Sequence, residues 1–254
     1  MENAFGQPQN IIVLGGSSDI ARAIVKKLCA ARAHTVVLAG RNATLLDQAS
    51  AEAREYGATK TETVLFDAMD PSNAVRTIAE CFAKVGDQVD LGLIALGQLG
   101  DQRHDENDAS AATGSAMVNY VWPVAALAEL RHRLVEQGRG RIVVLSSVAA
   151  VRVRRSSYLY GGAKAGLDRL CDGLADSLEG TGVTLQLVRP GFVRSKMTAG
   201  QKEVPFTTGV NEVAENVLRG LASGERVIWS PPILRYVFAL LRHLPAPLWR
   251  KIDR

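Results

Sequence analysis

The sequence predicts an α/β fold: a single doubly wound domain, its seven-stranded parallel sheet covered by helices on both faces. Short apolar runs rich in β-branched residues alternate with helix-length segments, the order expected of βαβ units. The 254 residues are 47% hydrophobic and 22% charged, enough to fill a large core and unlike a disordered chain. No linker, low-complexity block or internal repeat interrupts them, so residues 1–254 read as one domain, with 231–254 as a basic amphipathic helical tail.

The first strand-like run is NIIVLGG (10–16), and it ends on Gly15 and Gly16. Ser17, Ser18 and Asp19 supply cap chemistry to the helix that follows. Glycines there allow a tight turn, and free N–H groups at a helix start suit a pyrophosphate. The spacing is not GxGxxG, so alone it is a weak dinucleotide signal. TVVLAG (35–40) is the second strand, and Arg41 follows it. A guanidinium at that place pairs with a 2′-phosphate, which points to NADPH, or is simply a surface arginine. A helix over 44–57 leads to TVLF (63–66) and Asp67; another over 70–84 leads to DLGLIAL (90–96) and Gly97. Long helical segments over 110–137 and 157–180 flank RIVVLS (141–146), and VTLQLVRP (183–190) and RVIWS (226–230) complete the sheet.

The chemistry concentrates around YLYGGAKAG. Tyr160 and Lys164 are four apart and so project from one helix face. A free tyrosine has a pKa of about 10, and a neighbouring ammonium favours its phenolate. Ser147 lies 13 residues before Tyr160 at a strand end, and Asn119 sits in the middle helix. A serine hydroxyl there can hydrogen-bond a carbonyl oxygen. YxxxK alone is common on solvated helices; with this company it reads as a site for moving a proton at a ketone.

On these residues the chain, from about Asn10 to Ser195, resembles the short-chain dehydrogenase/reductase family. The resemblance implies a Rossmann-type fold and a catalytic set of Asn119, Ser147, Tyr160 and Lys164. Tyr160 would exchange the proton, Lys164 lower its pKa and hold the nicotinamide ribose, Ser147 orient the carbonyl, and Asn119 hold a water toward Lys164. Gly15, Ser17, Ser18, Asp19 and Ile20 fall at the family's cofactor turn, where Asp19 and Ala21 replace two glycines. An acid there opposes a pyrophosphate unless it is turned away. Arg41 and Asp67 would meet the adenosine half, and Gly97, which falls at the end of the family's NNAG motif with Ile94 and Ala95 in place of its asparagines, would also border the cofactor. Pro190, Gly191, Val193 and Ser195 would sit over the nicotinamide, together with Tyr160 and Lys164.

The formal charge of +4 calls for no nucleic acid, but its distribution is uneven. From Arg226 to the end there are six basic residues and one acid. Arg152, Arg154 and Arg155 precede Tyr160, with Arg194 and Lys202 beyond the nicotinamide wall. These five either coat a solvated surface or converge on an anionic substrate. The tail PPILRYVFALLRHLPAPLWRKIDR sets apolar residues against Arg235 and Arg242, which suits a membrane surface, a long apolar ligand or a subunit interface. VRVRR, KEVPFT and WSPPILRYVFALLRHLP are similar to a branch of the family that acts on lipid-linked sugars. That similarity implies NADH-dependent reduction of a decaprenylphosphoryl 2-ketopentose to the arabinose, beside a flavin-dependent oxidase, for cell-wall arabinan. Arg41 keeps NADPH open. A soluble-ketone reductase and a non-catalytic NAD(P)-binding partner subunit are the competing readings. A homodimer or tetramer through the Tyr160 helix is a further family expectation. Cys29, Cys81 and Cys171 form no CxxC and read as buried thiols. The acidic, polar N-terminus lacks the form of a secretory leader, which points to the cytoplasm or the periphery of the inner membrane, with the periplasm left open if a partner carries the chain there.

Overall fold

The computed structural model describes residues 7–31, 33–86 and 88–252. Residues 1–6, on which the leader argument rests, and Asp253 and Arg254 of the basic tail lie outside the described residues. Seven strands form one sheet: β1 (Asn10–Leu14), β2 (Thr35–Gly40), β3 (Lys60–Leu65), β4 (Leu91–Ile94), β5 (Gly140–Leu145), β6 (Val183–Pro190) and β7 (Val227–Ser230). Their order is β3-β2-β1-β4-β5-β6-β7 and every pairing is parallel. The chain winds outward from β1 to β3, then crosses back to β4 on the other side of β1. Ligands in such sheets bind beyond the carboxyl ends at that reversal.

Alternate residues of each strand feed opposite layers, as a pleated sheet requires. Ile11, Val13, Val36 and Leu38 pack under α1 (Asp19–Ala30), α2 (Ala43–Glu55) and α7 (Val210–Ser223). Ile12, Leu14 and Val37 pack under α3 (Ala74–Val85), α5 (Trp122–Gln137) and α6 (Tyr158–Ser177). Burial on both faces explains why β1 and β2 read as continuous apolar runs. The edge strand β3 starts three residues earlier than its apolar signature, because Lys60, Thr61 and Glu62 pair with β2 while remaining partly in solvent.

The segment 110–137 is two helices rather than one. A first helix, α4 (Ala109–Ala116), passes through a π turn (Met117–Val121) into α5. All three cysteines are buried, and burial pushes Cys29 up to about 11 and Cys81 and Cys171 to about 12, so their thiols are inert. The tail folds as α8 (Leu234–Leu241) and α9 (Ala246–Ile252), which lie back on the body. Among the described residues no helix is long and apolar enough to cross a membrane.

Candidate active site

The site forms where β1 gives way to α1. Ser18 is the N-cap, its Oγ accepting from Ala21 N at 3.4 Å. Gly15 adopts φ +93°, and a Cβ there would stand 2.7 Å from the Ala95 carbonyl oxygen at the end of β4. Only glycine lets the two backbones approach so closely. Asp19 borders the groove but is paired: its Oδ2 accepts from Lys196 N at 2.7 Å, and Lys196 Nζ lies 3.5 Å from Oδ1. The acid that would oppose a pyrophosphate is thus paired with a cation.

A groove of about 510 Å³ runs from this turn along the strand ends, lined by Gly15, Ser17, Ser18, Asp19, Ile20, Arg41, Asp67, Gly97 and Ser195. It continues into a cavity of about 780 Å³ that Ser147, Tyr160, Lys164, Pro190, Gly191 and Val193 line, with Ser18, Ile20, Gly97 and Ser195 common to both. All the residues expected to touch a dinucleotide therefore border one cleft. The glycine turn and the helix start fit a dinucleotide's phosphates, and the Lys196 pairing offsets the charge of Asp19.

The four expected catalytic residues come from three segments. The π turn carries Asn119, fully buried, whose Nδ2 donates to Gln98 O at 2.8 Å and Ser115 O at 2.9 Å. Its Oδ1 accepts from Gln98 N at 3.1 Å, so the amide locks the chain leaving β4. Lys164 is 2% exposed, and its Nζ donates to Leu96 O at 2.9 Å and Leu145 O at 3.0 Å. Gly97 lies between the two: a Cβ there would be 3.5 Å from Asn119 Oδ1 and 3.6 Å from Lys164 Nζ. Tyr160 and Ser147 both line the cavity, and the Ser147 side chain favours the phenolate of Tyr160. Burial lowers Lys164 to about 8, with Asp168 pulling the other way. Burial raises the Tyr160 phenol, against the smaller effect of Ser147. The expected lowering of Tyr160 by Lys164 does not govern it here, since desolvation of the phenolate is the larger influence.

Comparison with known proteins settles the family. Residues 9–204 match the short chain dehydrogenase model. The chain belongs to the short-chain dehydrogenase family. An uncharacterized oxidoreductase of Mycobacterium tuberculosis is 41% identical over 96% of this chain and 97% of its own. One from Streptomyces coelicolor is 41% identical over 99% and 98%. Among solved structures, a short chain dehydrogenase of Burkholderia cenocepacia in complex with NADP superposes with a TM-score of 0.80 at 18% identity, covering 96% of this chain and 97% of the other. A Burkholderia phymatum member in complex with NAD gives 0.78 at 20% identity over 92% and 93%. These two show the shared fold. As a member of this family, the protein is an NAD(P)-dependent oxidoreductase.

The five expected substrate cations separate. Arg154 and Lys202 line the cavity of this short-chain dehydrogenase, joined by Arg103, which the sequence reading did not single out. Arg155 is not among the lining residues, and Arg194 pairs with Glu203 at 3.0 Å. Arg152 is a correction: its guanidinium donates to Leu244 O at 3.1 Å and to Arg242 O, in the tail. Spacing along a loop could not tell which arginines face inward.

Sequence reasoning also missed a buried network. Asp168, one turn beyond Lys164, accepts at Oδ2 from Arg189 Nε at 2.8 Å and Nη2 at 2.7 Å. Ser146, beside Ser147, donates to its other oxygen. Arg189, beside Pro190, stacks 5.1 Å over Trp229. The network ties the ends of β5 and β6 to the catalytic helix. An acid four residues after Lys164 on the same helix face was the available signal.

Proposed function

We propose that this short-chain dehydrogenase reduces the ketone of a lipid-linked, phosphorylated 2-ketosugar, with a decaprenylphosphoryl 2-ketopentose as substrate and the arabinose as product. The observation that carries the reading is the mixed lining of the cavity that Tyr160 borders. Arg103, Arg154 and Lys202 line it together with Met197, Val204, Phe206, Leu234 and Phe238. A phosphate suits the cations and a polyprenyl chain the apolar wall.

A nicotinamide cofactor supplies the hydride. The chain's residues bind it, orient the ketone and deliver the proton. Ser147 Oγ holds the carbonyl oxygen beside the Tyr160 hydroxyl, both lining the same cavity. A phenol held up by burial stays protonated at neutral pH, the form that donates to a developing alkoxide. Lys164, fixed by the Leu96 and Leu145 carbonyls, would hold the nicotinamide ribose and return the proton to Tyr160. Arg41 lines the adenosine end, where it accepts NADPH; NADH is the default of the branch.

The ketone has to be supplied by oxidation of a lipid-linked sugar alcohol, the step of a flavin-dependent oxidase. Tyr236 and Leu240 are exposed on α8 and Ile233 just before it, with Arg235 and Arg242 exposed near them. This mixed apolar and basic surface supports contact with an anionic membrane. The test is nicotinamide oxidation with a polyprenylphosphoryl 2-ketopentose and with the same ketosugar lacking phosphate. Turnover that collapses without phosphate supports the proposal; equal rates would return the protein to reductases of soluble ketones.

A further inference from the structure

The tail is seated on the active site at two places. At its start, Leu234 presses on the nicotinamide wall: a Cβ on Gly191 would fall 2.5 Å from Leu234 Cδ1. Phe238, one turn later, packs 6.3 Å from Trp229, and both Leu234 and Phe238 are 4% exposed while lining the cavity. Just past the end of α8, Arg152 donates to two carbonyls, Arg242 O at 3.4 Å and Leu244 O at 3.1 Å. A cation there also complements the helix dipole. The same guanidinium lies 5.2 Å from the ring centre of Trp249, whose Nε1 donates to Val153 O at 3.2 Å. Trp249 is 7% exposed. The segment between Ser147 and Tyr160 thus holds one end of the tail, and the Pro190–Val193 wall holds the other.

We propose that Arg152 is a positioning residue that pins the C-terminal segment as the outer wall of the ketone cavity, and that the pinned wall selects ketones carrying an apolar chain. The inference rests on the ketone-reductase reading for its kinetic half, but its structural half stands without it. Without the clamp, Leu234 and Phe238 lose their fixed place, and an apolar chain loses a preformed surface to lie on. A short ketone reaching only Ser147 and Tyr160 has no such contact to lose.

The experiment compares wild type with Arg152→Ala and Arg152→Lys on two ketones, both carrying a phosphate: one short and water-soluble, the other bearing a long alkyl chain. Hydrogen exchange of residues 234–252 is followed in the same variants. For Arg152→Ala we expect faster tail exchange and a roughly tenfold loss in kcat/KM for the long ketone through KM. The short ketone should stay within about twofold. Arg152→Lys, which keeps one donor but not the planar stack, should fall between. Unchanged tail exchange in Arg152→Ala overturns the clamp whatever the kinetics. Equal losses on both ketones, or none on the long one, overturn the selectivity. If wild type reduces neither ketone, the function reading is at fault, and exchange alone still decides the clamp.

Discussion

Replacing Lys164 with methionine isolates the least exposed ionisable group of the catalytic set. Its ammonium is 2% exposed and burial lowers its pKa from 10.5 to about 8. That drop corresponds to roughly 3 kcal/mol by which the fold disfavours the charged form. Between about pH 8 and 10.5 the unfolded chain holds a proton that the folded chain has released, so stability rises with pH across this window. Below it both states are charged and the whole penalty is present; above it both are neutral and the penalty is gone. Lys164→Met carries no such dependence, while every other titrating group is shared. Urea unfolding of both proteins from pH 7 to 10.5, followed by fluorescence of the buried Trp122 and Trp249, gives the difference directly. The wild type should gain roughly 3 kcal/mol relative to the variant as pH rises through the window. A difference that does not move with pH would refute the reasoning and place the ammonium in a solvated setting.

Two further variants probe the cofactor groove. Gly15→Ala forces a side chain into φ +93° and against the Ala95 carbonyl at 2.7 Å, so it should cost about 1–3 kcal/mol in thermal unfolding and weaken nicotinamide-nucleotide binding measured by fluorescence titration. Arg41→Ala should weaken NADPH binding roughly tenfold and leave NADH nearly unchanged, read from Kd values of the two nucleotides.

Most of the sheet was legible because its inner strands are buried on both faces and announce themselves as unbroken apolar runs. The edge strand β3 was legible only in part, since Lys60–Glu62 carry no apolar signal while their backbone pairs with β2. The π turn at Asn119 was hidden within a helical pattern, because one extra residue per turn barely alters hydrophobic periodicity. Tyr160, Lys164 and Ser147 could be placed near one another because helix periodicity and a strand end fix where such side chains go. The arginines could not. Arg152, Arg154 and Arg155 occupy one short loop, and only the course of the backbone sends Arg154 to the cavity and Arg152 to the tail. The Asp168–Arg189 pair joins residues 21 apart and needed the parallel β5–β6 pairing to be seen.

The central claim is that Tyr160 delivers the proton to a ketone as hydride arrives. Its most direct test is single-turnover oxidation of the bound nicotinamide cofactor by a polyprenylphosphoryl 2-ketopentose, in wild type and in Tyr160→Phe, with nucleotide affinity measured in both. The account predicts unchanged nucleotide binding and a rate lowered by about 10²–10⁴-fold in the variant. Tyr160→Phe turning over at the wild-type rate would contradict it.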